Sequence, residues 1–421
     1  MINNLIIEPE NKNIKTSFVA IFIEGGIILE GKTGLAHLVE HLHFNSVKNG
    51  QYLLDAYNIQ AEFNAYTTVD HVCYFMTVPN ENLLQAIKLI CKIINKFTVT
   101  KKRIIDENKI VLEEQYMCND NPEIWLYNKS MENIYKGHPL EKVGIDIPDT
   151  VPYYNISEIV AHGKKFYNKD NLSMVICSSI SKKRISDYLD KMPFTNNAST
   201  DGCAEINKPP PYILSIESAT KNKTYGAYGA NGENGAHVEY YKYTKKFSKI
   251  YILINYVILY NKTIDLKTLL IRDSLIHILG DTGISELFDY LRLKKRLVYG
   301  ISARLDRSIY HSSVNIMLSI AKKNVEKSIQ EIFKVIDNIK SGKLEIDFNI
   351  HKKNIIEKFI NDMNKDNKNL VNTIYTFHRT YNIATNYGQI LHIFQNITLH
   401  DVVEEARKIF VQDARCSVHH T

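Results

Sequence analysis

The first half of the chain alternates between strand-like and helix-like spacing of its apolar residues. Thr16–Gly26 is rich in β-branched and aromatic residues and closes on a glycine pair, which predicts a strand. Ala61–Val78 contains two further runs of the same kind. In Glu81–Phe97 the apolar side chains recur at helical spacing instead, which predicts an amphipathic helix. Its apolar positions are Leu83, Leu84, Ile87, Ile90, Ile94 and Phe97.

The second half of the chain repeats this order. The same two spacings predict a strand, a helix, two strands and a second helix. Because a β-α-β-β-α unit occurs twice, we expect two homologous α+β domains, each a mostly antiparallel sheet with helices packed on it. The predicted elements of this half are Ser248–Tyr260, Leu266–Gly280, Val298–Leu305, Ser312–Ile320 and Lys323–Ile339.

Two loop-like stretches separate the halves. Thr195–Tyr212 is polar and contains three consecutive prolines, and Tyr225–His237 is rich in glycine. The length of 421 residues fits two domains of roughly 200 residues each. We therefore predict an N-terminal domain over 1–205, a linker over 206–235 and a C-terminal domain over 236–421.

Composition and charge narrow the class of protein. Hydrophobic residues make up 44% of the chain and charged residues 23%, as in soluble globular proteins. The net charge of +6 is small and the lysines are scattered, so no nucleic-acid partner is expected. Neither a membrane span nor a signal peptide is expected, because long uncharged apolar windows are missing. The six cysteines form no CxxC pair, which predicts free thiols and a cytoplasmic location.

The strongest chemical signal is the run HLVEH in the predicted helix that follows the first strand. His37 and His41 are four residues apart, so both rings face one side of a helix and can bind one metal ion. Glu40 lies on the neighbouring flank, where its carboxylate can take a proton from a metal-bound water. The order His-x-x-Glu-His is that of the inverzincins. The motif therefore predicts a zinc site that hydrolyses peptide bonds.

A third ligand is needed, and the later run IIDENKIVLEEQYMC offers several carboxylates. Glu107 and Glu114 are seven residues apart and share one side of a helix, as do Asp106 and Glu113. Spacing alone does not choose between these two pairs. Cys118, one turn beyond Glu114, is a weaker candidate, because its thiol fits equally well as a small buried apolar group.

Taken together, the motifs resemble the pitrilysin, insulysin and mitochondrial processing peptidase family of zinc endopeptidases, and above all its bacterial two-domain members. The matches occur in the same order over nearly the whole chain. They are Gly25, Glu30 and Gly34–Phe44; Asn64–Thr67 and Tyr74; Glu107, Ile110–Glu114 and Asp120–Pro122; Tyr135, His138–Leu140 and Gly144; and Leu279–Ala303.

The resemblance implies roles for individual residues. Glu114 becomes the third zinc ligand, with Glu113 as the remaining alternative, and Glu107 a carboxylate that holds a ligand or an active-site water. The strand that contains Asn64 and Ala65 is implied to bind substrate as an added β-strand.

The resemblance also implies an assembly. Arg292 and Tyr299 match a pair that reaches the substrate near the scissile bond, where both can donate hydrogen bonds to a carbonyl oxygen. A closed chamber in this family needs four such domains, so a dimer is implied, either of two identical chains or of this chain with a related subunit. One zinc ion per chain is expected, because the second half has no His-x-x-Glu-His. His277 is predicted to be a core histidine, and His43 to face away from the metal.

The sequence thus predicts a zinc endopeptidase that cuts peptides or extended pre-sequences, with Glu40 as general base. Two alternatives remain open. One is a non-catalytic, peptide-binding subunit of a heterodimeric peptidase. The other is a dedicated leader peptidase for a ribosomally made peptide natural product.

Overall fold

The computed structural model describes residues 3–7, 13–44, 51–95, 99–149, 153–191, 238–258, 264–281, 283–308, 312–365, 367–410 and 414–420. They divide into two units, each with its own sheet. Unit 1 comprises the described residues of Met1–Cys118, Gly137–Pro210 and Asp362–Thr376. Unit 2 comprises those of Asn119–Lys136, Pro211–Asn361 and Phe377–Thr421.

The elements of both units follow the predicted alternation. The strands are β1 (Asn3–Ile7), β2 (Thr16–Glu24), β3 (Glu62–Thr67), β4 (His71–Pro79), β5 (Leu172–Cys177), β6 (Val238–Thr244), β7 (Ile250–Ile258), β8 (Val298–Arg307), β9 (Ser312–Ile320) and β10 (Ala414–His420). The first seven α-helices are α1 (Leu35–Phe44), α2 (Gln51–Asn58), α3 (Leu83–Asn95), α4 (Lys101–Asp120), α5 (Pro122–Ile134), α6 (Ile156–Phe166) and α7 (Lys182–Leu189). The later ones are α8 (Leu266–Ile276), α9 (Val325–Lys340), α10 (Phe348–Lys365), α11 (Asn367–Tyr381), α12 (Tyr387–Asn396) and α13 (Leu399–Ile409). Two π-helical segments, His277–Asp281 and Phe288–Lys294, follow α8.

Both sheets have the same topology. The strand order is β1-β5-β2-β4-β3 in unit 1 and β6-β10-β7-β9-β8 in unit 2. The outer pairs β1–β5 and β6–β10 are parallel, and the remaining neighbours are antiparallel. The predicted fold class, two homologous α+β domains with mostly antiparallel sheets, is therefore confirmed.

The sheet of unit 1 is covered on both faces, which explains the long apolar run of β2. Ile21 and Ile23 lie in a core that includes the apolar face of α3. On the opposite face, Phe22 stacks on Tyr375 of α11 with ring centroids 3.9 Å apart. Successive strand residues point to opposite faces, so a strand buried on both sides is apolar at nearly every position.

Two segments of the chain belong to one unit, although the sequence on both sides of them belongs to the other unit. Trp125 and Leu126 of α5 pack with Leu253 and Met317 of the sheet of unit 2. Residues Asp362–Thr376 belong to unit 1, although they lie in the second half of the chain. The units therefore interleave along the sequence at these two places. The predicted boundaries at 205 and 236 stay a prediction, and the predicted linker 206–235 lies outside the described residues, as do Thr195–Tyr212 and Tyr225–His237.

Two further expectations concern membranes and thiols. No helix among the described residues combines the length and the apolar character needed to cross a bilayer. Four cysteines of the described part, Cys73, Cys91, Cys118 and Cys177, are free thiols.

Candidate metal centre

The helix that contains the two histidines begins at a buried carboxylate. Both oxygens of Glu30 accept backbone hydrogen bonds, from Gly34 (2.7 Å) and Ala36 (2.8 Å), which satisfies donors of the first turn of α1. Burial raises the pKa of Glu30 to about 7, against the opposing effect of these hydrogen bonds. Gly34 has φ +78°, and a Cβ there would lie 2.3 Å from Ile147 and 2.5 Å from Tyr154. Glycine is therefore required where the chain enters α1.

Helix α4 lies alongside α1 and brings a carboxylate to both imidazoles. The Nε2 atoms of His37 and His41 are 3.2 Å apart. Oε2 of Glu114 lies 3.3 Å from Nε2 of His37 and 3.5 Å from Nε2 of His41. Of the two carboxylate pairs that the spacing left open, the structure thus brings the one with Glu114 to the histidines, while Glu113 is exposed.

The donor set fits a zinc ion. Ligands bound at about 2.0–2.2 Å to a tetrahedral ion lie about 3.3–3.6 Å from one another. Within the cluster of His37, His41 and Glu114, the two separations to the carboxylate, 3.3 and 3.5 Å, fall in this range, and the separation of the two imidazole nitrogens, 3.2 Å, is just below it. Burial, followed by the neighbouring His41, lowers the pKa of His37 to about 4. His37 is therefore neutral at neutral pH, the form that binds metal.

A second carboxylate of α4 contacts the other ring nitrogen of His41. Oε2 of Glu107 lies 3.5 Å from Nδ1 of His41, and both side chains are largely buried. Burial alone would lower the pKa of His41, but the hydrogen bond to Glu107 and the charges of Glu114 and Glu40 outweigh it and raise that pKa. A carboxylate on Nδ1 directs Nε2 toward a metal, which is the supporting role predicted for Glu107. Arg103 of the same helix donates to the carbonyl oxygen of Leu42 and so also links α4 to α1.

The predicted general base is buried beside the cluster. Glu40 is 7% exposed, and its Oε2 accepts a hydrogen bond from Oγ1 of Thr67 at 2.7 Å. Burial raises the pKa of Glu40, with the charge of Glu114 adding to the effect, while Thr67 and His41 oppose it. Thr67 stands at the end of β3, so the edge strand positions the carboxylate.

The predicted substrate strand, β3, is the last strand of its sheet and pairs with β4. Asn64 is exposed, and its Oδ1 accepts a hydrogen bond from the backbone N–H of Ala65 at 2.8 Å. An edge strand offers backbone donors and acceptors on its outer side, the requirement for binding a peptide as an added strand.

Arg292 and Tyr299 lie in unit 2, and Arg292 contacts the residue that precedes Tyr299. Arg292 Nη1 donates to the carbonyl oxygen of Val298 at 2.9 Å. Tyr299 is 52% exposed, and Nζ of Lys249 lies 4.5 Å from the centre of its ring. Both side chains are therefore accessible from solvent.

The remaining histidine of α1 has a structural environment. His43 is buried and stacks parallel on Tyr167 with ring centroids 4.2 Å apart. Its ring thus lies on the side of α1 away from the cluster, as predicted.

Sequence reasoning assigned no role to Thr67 or to the capping contact of Glu30, although both stand inside matched motifs. The contact of Thr67 with Glu40 joins residues 27 positions apart, which no local spacing signals, whereas Glu30 caps residues only four and six positions later and could have been found from the sequence.

Comparisons with known proteins identify the family. The model of the insulinase family (peptidase family M16) matches residues 5–145, and that of the peptidase M16 inactive domain matches residues 155–354. An uncharacterized zinc protease of Rickettsia bellii is 26% identical over 38% of this chain and 40% of the relative. The β subunit of mitochondrial processing peptidase from Bos taurus is 23% identical over 47% of this chain and 41% of the subunit. The chain thus spans about two fifths of the length of the curated relatives it matches.

A solved structure shares the whole fold. The crystal structure of a protease from Helicobacter pylori superposes with a TM-score of 0.80 at 18% identity, and the alignment covers 100% of this chain and 97% of that one. The two family models together cover most of the sequence and follow each other along it. The chain belongs to peptidase family M16.

Proposed function

We propose that this chain is a zinc-dependent endopeptidase that hydrolyses unstructured peptides or extended pre-sequences. His37, His41 and Glu114 would hold one ion per chain. The observation that carries the proposal is the set of tetrahedral separations among their three donor atoms, next to the buried carboxylate of Glu40. The names of the relatives, which include zinc proteases, support the same class of reaction.

The chemistry is divided between the ion and Glu40. A zinc ion at this site would lower the pKa of a water molecule and polarise the scissile carbonyl. Glu40 takes the proton from water during the attack on the carbonyl and passes it to the leaving amine nitrogen. Burial raises the pKa of Glu40, which makes its carboxylate a stronger proton acceptor than an exposed one. The hydrogen bond from Thr67 fixes one carboxylate oxygen and thereby orients the other.

Substrate binding would use the exposed edge of unit 1 and a second chain. Asn64 and Ala65 of β3 would align the peptide as an added strand. Arg292 and Tyr299 of a second copy, or of a related subunit, would donate hydrogen bonds to the carbonyl oxygen as it gains charge. The two chains would enclose a chamber. We also propose a cytoplasmic location, which the free thiols of the described residues support.

The proposal is tested by zinc content and peptide cleavage measured on the same preparation. The purified chain is incubated with a mixed pool of unstructured peptides, before and after treatment with a chelator and after zinc is restored. We expect about one zinc per chain, with cleavage that the chelator abolishes and zinc restores. Mass spectrometry of the products locates the bonds that are cut.

Other outcomes would favour the alternatives. Zinc without any cleavage would contradict a self-sufficient enzyme and favour a non-catalytic, peptide-binding subunit. Cleavage confined to a leader attached to its own core peptide would favour a dedicated leader peptidase. A chain that binds no zinc would contradict the metal site itself.

Zinc affinity should fall as the pH is lowered from 8 to 6. His41 has a pKa above its ordinary value of 6.5, so it is protonated at a higher pH than a free histidine, and zinc must displace that proton. Below that pKa the apparent affinity should drop about tenfold per pH unit. Competition with a chromophoric chelator measures it. Glu107→Gln should move the onset to lower pH, because the hydrogen bond that His41 donates to Glu107 is the largest of the effects that raise the pKa of His41. A flat profile in the wild type would contradict the prediction.

A further inference from the structure

One end of the sheet of unit 2 brings together the beginnings of two strands and the end of a third. Ile250 of β7 pairs with Ile320 of β9, and Ile320 pairs in turn with Val298 of β8. Because β7 and β8 both run antiparallel to β9, each of them begins where β9 ends. The residues that precede β7, follow β9 and open β8 therefore lie at the same end of the sheet.

Tyr299 stands at this end as an extra residue of an edge strand. Val298 pairs with Ile320 of β9. Gly300 pairs with Ser319, the residue directly before Ile320, so β8 bulges at Tyr299. Such bulges re-aim side chains and are common beside active sites. Val298 is buried, whereas Tyr299 is 52% exposed, so the bulge leaves a phenol ring accessible on the outermost strand.

Two cationic side chains reach this tyrosine or its neighbour in the chain. Nζ of Lys249, the residue that precedes β7, lies 4.5 Å from the centre of the Tyr299 ring. Lys249 therefore reaches past the end of β9, because β9 lies between β7 and β8 in the sheet. Arg292, in the second π-helical segment, donates to the carbonyl oxygen of Val298. An ammonium and a guanidinium group thus approach from two different elements.

Further basic residues stand at the same end of the sheet. Lys322 and Lys323 are exposed in the short helical turn after β9. The side chain of Asn324, the last residue of that turn, donates to the carbonyl oxygen of Leu297 at 2.9 Å and so links the turn to the start of β8. Arg296, which precedes Leu297, is exposed as well. We call this group the basic end, and its members are Lys249, Arg292, Arg296, Lys322 and Lys323.

No member of the basic end forms an ion pair with an acid among the residues that the structure describes. Other lysines of unit 2 do have such partners. Lys294 contacts Asp289 and Glu345, each at 2.8 Å, and Lys334 contacts Glu331 at 3.0 Å. The positive charge of the basic end is thus left for a partner outside these residues, and it attracts carboxylates.

We propose that the basic end binds acidic side chains of the peptide substrate and so selects peptides with glutamate or aspartate near the bond that is cut. The proposal rests on the proposed function, since Arg292 and Tyr299 would hold the scissile carbonyl of the same peptide. Side chains that flank this carbonyl pass the remaining cations, where a carboxylate gains charge-assisted hydrogen bonds. The members of the basic end other than Arg292 therefore determine specificity.

The test measures peptide binding without cleavage. The purified chain is kept in a chelator, and two labelled peptides are compared by fluorescence anisotropy. They share one unstructured sequence, except that the glutamates of the first are glutamines in the second. We expect the glutamate peptide to bind about tenfold more tightly at a salt concentration of about 50 mM. The difference should disappear at about 1 M salt, because the charges are then screened.

Substitutions show whether the preference comes from the basic end. Lys249→Gln should lower the preference for glutamate about threefold, the effect of one exposed charge pair, and leave the affinity for the glutamine peptide unchanged. Lys249→Arg keeps the charge and should keep the preference. Lys353→Gln is the matched control, since it removes one exposed positive charge from α10, outside the basic end, and it should not change the preference. Circular dichroism checks the fold of each variant.

Several outcomes would overturn the proposal. Equal affinity of the wild type for both peptides is one, and a preference that Lys249→Gln leaves intact is another. An equal loss in Lys353→Gln would mean that net charge alone causes the preference. A single-stranded oligonucleotide of equal charge that binds as tightly as the glutamate peptide would make the basic end a general anion surface. Failure of the proposed function is distinct, because the chain would then prefer the glutamate peptide but leave it uncut after zinc is restored.

Discussion

Replacing Glu40 with glutamine should lower the rate of peptide cleavage by about a thousandfold while zinc content stays unchanged. The substitution removes the proton acceptor and leaves the shape of the side chain nearly the same. The glutamine carbonyl can still accept the hydrogen bond from Thr67, so α1 and its two histidines keep their positions. Glu40 is not among the residues that cluster for metal binding, which is why the ion should remain.

The measurement compares kcat for one peptide selected from the pool with zinc per chain on the same samples. Glu113→Gln is the matched control, since this carboxylate is exposed on α4 and should change neither quantity. Cleavage retained by Glu40→Gln would mean that the base is another group. Loss of zinc together with loss of cleavage would mean that Glu40 holds the ion and does not serve as the base.

The fold was predictable where burial leaves a continuous pattern in the sequence. Ser312–Ile320 was predicted from its apolar and β-branched residues, and β9 has the same bounds, because all nine of its residues are buried. The helix predicted over Lys323–Ile339 likewise corresponds to α9. In both cases the type of element follows from the spacing of apolar residues within the segment itself, so the pattern is sufficient.

The sheet or strand against which a helix packs was not predictable in the same way. Helix α5 was not among the predicted elements, and its own residues do not indicate which sheet covers it. Trp125 packs with Tyr243 and Phe247 of unit 2, a partner more than a hundred residues away. The same limit applies to Tyr375, which stacks on β2. Such pairings depend on how whole elements are arranged in the fold. The apolar pattern of one helix carries no information about that arrangement.

The candidate site also contains residues that were predictable from the sequence and residues that were not. His37, Glu40 and His41 could be found from spacing, because one helix fixes their relative positions. Glu113 and Glu114 could not be separated, because the rotation of α4 against α1 decides which carboxylate reaches the histidines. Asp281 was missed as a partner of His277, although it stands four residues later in the sequence and its Oδ2 lies 3.6 Å from Nδ1 of that ring.

Zinc affinity should fall in a graded series across the carboxylates of α4. Glu114→Gln should weaken zinc binding most, because it removes the negative charge of an atom within 3.5 Å of both imidazole nitrogens. Glu107→Gln should cost about 10–100-fold, the range for residues that hold a metal ligand rather than the metal. Glu113→Gln should leave the affinity unchanged. The measurement is competition with a chelator at fixed pH.

The order within the series separates two explanations of the cluster. If Glu114 is a ligand, its loss must exceed the loss for Glu107, even though Glu114 is the more exposed of the two side chains (45% against 10%). If the two acids only add negative charge around the histidines, the buried Glu107 should matter more, because charges in less polar surroundings interact more strongly. A larger effect at Glu107 than at Glu114 would therefore contradict Glu114 as the third ligand. A large effect at Glu113 would require α4 to be rotated in the metal-bound protein.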